Sequence, residues 1–424
     1  MLEPRRSRPF AAASGIATAL LTTWLVACAA SSEAPRDAIV EDTASSLLAE
    51  GNWFPENRAF LERWLREVSR REIESRPIAA FDWDNTSVFN DASEQLFHYQ
   101  LDRLALKLAP EQLAELLPAE INGLTRTASG LSLADLREDA LAAYSTLWPD
   151  IERGAVEQAR ARPEHRDFRA RMVQFYEETL NTEGIGADRA FPWLVRLFAG
   201  YTPEEVRVLT RAALAERLTC ETRIEQWRTE TDGRCGPYRR EVGRGLCAHP
   251  EMQDLMRALN AAGVEVFVIS AGAEWVVEAA AEVMGYPLDP DHVFGMRVVQ
   301  GAEGRLTSEV PPYERYPVTY RRGKAELVTR VLQRPALLVA GDAMTDYELL
   351  TALPETEISL VINRNKGGAM PALYRQALQP AAGQRRVLLQ GRDENRSRFR
   401  KARETVPLGA DAPVPLPGAA ESSD

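Results

Sequence analysis

Pro77-Ile78-Ala79-Ala80-Phe81-Asp82-Trp83-Asp84-Asn85-Thr86 sets the frame for this 424-residue chain. Four apolar residues after Pro77, ended by a carboxylate, predict a short buried strand. Asp82 and Asp84 are two apart. On extended backbone that spacing puts both carboxylates on one face, so both can address one reacting atom beyond the strand end.

Downstream, the pattern changes twice. From 88 to 244 helical patterns dominate, with breaks near Pro110, Pro118, Gly130, Pro149, Gly184 and Gly200. A strand–helix alternation follows. Pro250 is placed to open a helix carrying Met252, Leu255, Met256 and Leu259 at helical spacing, and Gly263 to end it. Val264–Ile269 reads as a strand, followed by a helix with Val276, Ala280 and Met284 on one face that stops at Gly285. Ala336–Ala340 and Ile358–Ile362 read as further buried strands. The alternation predicts an α/β fold, a doubly wound parallel sheet with a large helical cap inserted after the first strand. The expected organisation is a core of 47–87 and 245–403, a cap of 88–244 and a disordered tail of 404–424, which holds four prolines.

Ligands in such sheets sit at the carboxyl ends of the strands. The first strand ends in Asp82-Trp83-Asp84-Asn85-Thr86, the second in Ser270-Ala271-Gly272, and the strand at 336–340 in Gly341-Asp342-Ala343-Met344-Thr345-Asp346. Lys324 opens a helical segment before the last of these. It is one of only four lysines, with Lys107, Lys366 and Lys401, in a chain whose other basic residues are all arginine. A D-x-D-x-T motif alone is weak, but four pieces in order, each at the proper end of its element, are a strong signal.

The set resembles the haloacid dehalogenase (HAD) superfamily of phosphatases over 77–87 and 245–365. The insertion is similar to the helical cap of the phosphoserine phosphatase-like branch, and Gly245–Gly272 resembles its phosphorylcholine phosphatase members. The resemblance implies that Asp82 is a nucleophile forming an aspartyl-phosphate and Asp84 the general acid/base. Thr86, Ser270, Gly272 and Lys324 would hold the phosphoryl group. Asp82, Asp342, Asp346 and the backbone carbonyl of Asp84 would make up the Mg²⁺ site, with Asp346 also supporting Lys324. Simple dehalogenation does not need the second aspartate, so the presence of Asp84 favours phosphoryl transfer.

Elementary electrostatics points the same way. A carboxylate about 4 Å from a phosphate dianion meets roughly 8 kcal/mol of repulsion at an effective dielectric constant near 20. Asp82, Asp342, Asp346 and the phosphate against Lys324 leave a formal charge of roughly −4, which a divalent cation halves. An all-oxygen site with open positions suits Mg²⁺ better than Zn²⁺. A helix start after Ser270, with the small Gly272, is expected to offer backbone N–H groups to the phosphate.

Substrate choice is expected from the insertion. It is rich in aromatic residues, among them Phe97, Tyr99, Phe175, Tyr176, Phe191, Trp193, Phe198 and Tyr201, with Glu177 and Glu178 nearby. Most are expected in helix cores. Aromatic faces with a carboxylate would suit a quaternary ammonium group such as that of phosphorylcholine. Phe89, Glu94, Tyr176 and Glu177 are the candidate specificity residues. Phosphoserine would want an arginine for its carboxylate, and Arg239 and Arg240 lie near the return to the core.

Composition narrows the alternatives. With 45% hydrophobic and 27% charged residues the chain is ordinary globular material. A net charge of −11 argues against nucleic acid as a partner. Four histidines are thin for zinc catalysis, and none of the four cysteines, Cys28, Cys220, Cys235 and Cys247, sits in a C-x-x-C motif. Arg5, Arg6 and Arg8 precede an apolar run from Ala11 to Ala27, the layout of a secretory signal spanning 1–27. Leu25-Val26-Ala27-Cys28 resembles the bacterial lipobox. That implies a lipid anchor on Cys28, a tether over 28–46, and a periplasmic protein held to the outer membrane of a two-membrane bacterium. At most one disulfide can then form among Cys220, Cys235 and Cys247, with three pairings open. The expected function is Mg²⁺-dependent hydrolysis of a small organic phosphate. A HAD phosphotransferase, or a non-catalytic periplasmic lipoprotein that keeps the fold, is the alternative.

Overall fold

A computed structural model describes residues 46–72, 76–185 and 187–417. The expected signal, Cys28 and nearly all of the tether lie outside these residues. Among the described residues no helix is long and apolar enough to cross a membrane.

Helix α1 (Pro55–Val68) precedes β1 (Ile78–Phe81), and β2 (Val88–Phe89) leads into the insertion. The insertion carries α2 (Ala92–Arg103), α3 (Pro110–Leu116), α4 (Leu133–Glu152), α5 (Val156–Arg160), α6 (Pro163–Leu180), α7 (Ala187–Arg196) and α8 (Pro203–Arg217). It closes with strands β3 (Arg223–Arg228) and β4 (Arg239–Arg244), paired antiparallel. That hairpin was not expected from sequence. Its charged, mostly exposed alternation, Arg-Ile-Glu-Gln-Trp-Arg against Arg-Arg-Glu-Val-Gly-Arg, offers little apolar signal, and only Trp227 and Val242 are buried.

The chain re-enters the core at β5 (Cys247–Ala248), then runs through α9 (Pro250–Ala261), β6 (Glu265–Ala273), α10 (Glu274–Met284), β7 (Val293–Met296), α11 (Arg322–Glu326), β8 (Ala336–Gly341), β9 (Ile358–Ile362) and β10 (Arg386–Gln390). The six-stranded sheet has the order β10-β9-β8-β1-β6-β7, and every neighbouring pair is parallel. The expected α/β fold is therefore observed. All residues of β1, β8 and β9 are buried, as a sheet covered on both faces requires.

Register aligns the chemistry. Phe81 pairs with Val268 on one side and Ala340 on the other, so Asp82 and Asp342 follow their strands at nearly the level of Ser270 within β6. The hinge is also ordered. β2 and β5, where the insertion leaves and returns, pair antiparallel, with Phe89 opposite Cys247. Cys247 forms a disulfide with Cys220, just beyond α8, while Cys235 is free.

Two expectations are corrected. β6 extends through Ala273 and α10 starts only at Glu274, so no helix begins at Ser270. Residues 404–417 are also not a disordered tail. Thr405, 1% exposed, donates its hydroxyl to the Asn363 carbonyl at 2.5 Å and accepts the Arg392 N–H at 3.0 Å. Val406 N–H donates to the Arg392 carbonyl, and Leu416 is buried. Backbone and hydroxyl pairing hold this segment without an apolar pattern, which is why composition misreads it.

Candidate active site

β1, β6, β8 and the segment after β9 deliver their ends to one cavity of about 220 Å³ between the sheet and the insertion. Asp82, Asp84, Gly272 and Asp342 line its floor. Asp91, Glu94, Phe97, Tyr176, Phe191 and Phe198 line its roof.

The floor is a closed polar network. Lys324, with no exposed surface, places Nζ 2.5 Å from Asp82 Oδ1 and 2.6 Å from Asp346 Oδ1. Thr86 donates its hydroxyl to Asp82 Oδ2 at 2.9 Å, with Asp342 Oδ1 at 3.1 Å. Asp346 Oδ2 accepts the backbone N–H groups of Asp342 and Ala343. Asp84 accepts from Ala92 N–H at 2.7 Å and from Ser270 Oγ at 3.4 Å. Asn85, next to Asp84, holds φ at +63°, a left-handed conformation that Asn tolerates better than most residues. Arg392, 1% exposed, fixes that corner by donating to the Asn85 carbonyl and to its Oδ1, each at 3.2 Å.

Burial and crowding set the charges. Burial first, then Asp346, push the Asp82 carboxyl well above its ordinary range, against the pull of Lys324. Burial and Asp91 raise Asp84 in the same direction. Burial also raises Asp346. Lys324 loses solvation on burial, yet Asp346 and Asp82 outweigh that loss and raise its pKa. Asp82 and Asp346 thus share one ammonium, while Asp342 is paired with the Arg364 guanidinium. Oxygens of Asp82, Asp342 and Asp346 lie within 4.8 Å of one another. This buried, oxygen-only donor set fits a hard divalent cation.

Every floor residue predicted from sequence is brought together, but several are placed otherwise than expected. Thr86 and Ser270 are buried behind the carboxylates and their hydroxyls are already engaged. Gly272 lines the cavity, but its N–H donates to Ser270 Oγ at 2.9 Å rather than standing free. Its lack of a side chain is what matters, since a Cβ there would lie 2.3 Å from Ser93 Oγ. Asp346 has both oxygens occupied and stands behind the floor.

The roof splits the specificity candidates. Glu94 and Tyr176 face the cavity. About half of the Glu94 side chain is open, yet desolvation and the neighbouring Asp91 and Glu177 push its pKa up to about 7. Phe89 does not reach the cavity: it is 2% exposed, beneath the Arg392 guanidinium at 4.2 Å. Glu177 is held by Arg240 at 2.7 Å and by the Tyr238 hydroxyl at 2.8 Å, outside the lining. Trp193 and Phe175 pack in the cap interior, as expected of helix-core residues.

Sequence reasoning missed Arg364 and Lys366, which also line the cavity. Arg364 Nη1 donates to Asp342 Oδ2 at 2.9 Å. The Arg364 charge, with burial, lowers the Lys366 pKa. The signal was available, because both follow the end of a buried strand and Lys366 is one of the four lysines. Arg392 and Ser93 were missed as well, and neither sits in a recognisable pattern.

Residues 185–351 match the family model of haloacid dehalogenase-like hydrolases. That span begins inside the insertion and holds Ser270, Lys324, Asp342 and Asp346, while Asp82–Thr86 lies ahead of it. No curated protein matches the chain. A conserved protein of unknown function from Anaerococcus prevotii is similar in structure at 22% identity and a TM-score of 0.75, over 86% of this chain and 99% of that one. A protein of unknown function from Bordetella pertussis gives 14% identity and 0.40, over 74% and 98%. A substrate-bound phosphoserine phosphatase gives 12% and 0.31, over 69% and 87%. The family match covers 185–351, less than half of the chain, and the first structure shares the fold.

Proposed function

We propose that this protein is a Mg²⁺-dependent phosphomonoester hydrolase that releases inorganic phosphate from a small organic phosphate through an aspartyl-phosphate on Asp82. The observation that carries this reading is the convergence of Asp82, Asp84, Asp342 and the buried Lys324 beneath one cavity. Asp82, Asp342 and the Asp84 carbonyl would hold the cation, which supplies charge neutralisation and orientation of the phosphoryl group.

The chain's own groups divide the remaining work. Asp82 attacks phosphorus and forms the Asp82–phosphorus bond as the bond to the leaving oxygen breaks. Asp84, whose raised pKa suits it to carry a proton, delivers that proton to the departing alkoxide. Water then attacks phosphorus, gives a proton back to Asp84, and frees phosphate and the Asp82 carboxylate. Lys324 stays on Asp82 and limits the charge that builds there. Thr86 keeps Asp82 and Asp342 oriented, and Gly272 leaves room for the phosphoryl group.

For the organic part we propose a small alcohol bearing an ammonium group, with phosphorylcholine ahead of phosphoserine. Glu94 and Asp91 offer negative charge, and Phe97, Tyr176, Phe191 and Phe198 offer ring faces. Phosphoserine would also need a cation for its carboxylate, and the roof presents none to the cavity among the described residues; Arg364 and Lys366 come from the core. We also propose that the protein works in the periplasm, anchored through a lipid on Cys28. Support for this is the signal-like sequence, and an intact-mass measurement on membrane-extracted protein tests it.

The deciding experiment is phosphate release from a panel of phosphomonoesters by purified protein, with Mg²⁺ and with a chelator. Mg²⁺-dependent release that is fastest on phosphorylcholine is expected. Release without a divalent cation, or none on any substrate, overturns the reading. Transfer to an alcohol acceptor without phosphate release would indicate a phosphotransferase instead.

A further inference from the structure

Arg364 and Lys366 have no part in the mechanism above, yet they line the cavity with Asp82 and Asp342. Their segment is anchored in the fold at the buried Asn363, although Lys366 itself is exposed. Asn363 donates its side-chain amide to the Arg403 carbonyl at 2.8 Å and accepts the Asn365 N–H at 2.9 Å. Lys366 N–H donates to the Tyr374 hydroxyl at 3.2 Å. Arg364 spends one nitrogen on Asp342, and its buried Nε has no hydrogen-bond partner. The Lys366 ammonium makes no hydrogen bond or ion pair among the described residues, though the Asp342 and Glu394 carboxylates attract it.

Charge gives these groups a purpose. With a divalent cation in place, three aspartates, Lys324 and a phosphate dianion still leave two negative charges uncompensated. Arg364 and Lys366 supply two positive ones at the same floor. A guanidinium also matches phosphoryl oxygens with two parallel N–H groups, whereas an ammonium acts as a point charge.

We infer that Arg364 and Lys366 form a second phosphoryl-binding pair, and that the Arg364 guanidinium resting on Asp342 turns to the phosphoryl oxygens when substrate enters. This rests on the phosphatase reading and adds the two residues that recognise the anion from the β9 side. It also gives Arg364 opposite effects on two ligands. Beside an empty cation site it repels the cation and competes for Asp342; beside the phosphoryl group it attracts.

Calorimetric titration of wild type, R364Q, R364K and K366Q with Mg²⁺ alone, and with orthophosphate at saturating Mg²⁺, tests this. R364Q should bind Mg²⁺ several-fold tighter and orthophosphate at least about tenfold weaker, the loss of one charge-assisted contact. R364K should recover part of the phosphate affinity. K366Q should weaken orthophosphate about threefold and tighten Mg²⁺ less than R364Q does, since Lys366 repels the cation without competing for Asp342. R364Q that binds Mg²⁺ more weakly and orthophosphate normally overturns the proposal and makes Arg364 a positioning residue for Asp342. If circular dichroism shows R364Q unfolded, R364K and K366Q decide, and unchanged orthophosphate affinity in both overturns the proposal. Wild type that binds no orthophosphate at saturating Mg²⁺ also overturns the proposal, while phosphate release from phosphomonoesters, measured separately, decides the phosphatase reading.

Discussion

The floor and the roof of the cavity are built on different principles. On the floor each carboxylate is fixed by hydrogen bonds: Asp82 by Lys324 and Thr86, Asp342 by Thr86 and Arg364, Asp84 by Ala92 N–H, with Asp346 behind them held by Lys324 and two backbone N–H groups. The roof is set mostly by packing. Phe97 meets Tyr176 edge-on at 5.7 Å, Tyr176 stacks on Trp193 at 6.1 Å, and Phe191 meets Tyr320 at 5.6 Å. A hydrogen-bonded floor suits a fixed chemical step, since charge must be placed to within fractions of an ångström. A packed roof can be recut for another leaving group without disturbing that step. Floor substitutions should therefore act on kcat and roof substitutions on KM.

Asp82→Asn is the most severe break. It should cut kcat by on the order of 10⁴-fold or more, with the far-ultraviolet spectrum and Tm near wild type; ordinary turnover would dismiss Asp82 as nucleophile. Lys324→Met comes next and should damage both activity and fold. Removing the one ammonium leaves Asp82 and Asp346 buried without a counter-charge, at a cost of about 3–5 kcal/mol in denaturant unfolding. A variant as stable as wild type would show that the aspartates simply hold protons. Gly272→Ala should lower kcat about tenfold or more with little change in stability, because the new methyl forces Ser93 and Asp84 aside at the phosphoryl side of the cavity.

Glu94→Gln is the mildest and the sharpest. For a cationic substrate KM should rise about tenfold with kcat held, while a neutral phosphomonoester is unaffected. The sign of the pH effect follows from the raised pKa. Glu94 is charged above about pH 7 and neutral below it, so wild-type affinity for the cation should fall as pH drops through 7. The Gln variant should lose that dependence, measured as KM across pH 5.5–8.5.

The same division explains what could be read from sequence. Asp82, Asp84, Ser270 and Asp342 were legible because a parallel sheet sends its ligand-binding residues to strand ends, and apolar runs mark those ends; Lys324, inside α11, was legible because lysine is rare in this chain. Thr86 and Gly272 were found by the strand-end rule too, but their hydrogen-bond partners could not be inferred, since Thr86 reaches an aspartate 256 residues away. Arg364 follows the same rule at β9 and went unread because no motif surrounds it. The roof was opaque. Phe89 and Tyr176 look alike as aromatic residues of the insertion, and only packing decides that one turns under Arg392 while the other faces the cavity. The β3–β4 hairpin and the packed segment 404–417 escaped because backbone pairing, rather than apolar periodicity, holds them.

The Cys220–Cys247 bridge has a consequence for how the molecule is made. It closes 27 residues of separation across the point where the insertion rejoins the sheet, and cross-linking a loop of that size restricts the unfolded chain by about 3.5 kcal/mol. Part of the fold's stability is therefore acquired only when an oxidant has acted. Protein recovered from a reducing cytosol would carry the same sequence with a smaller margin against unfolding, so the redox history of a preparation belongs beside any stability reported for it.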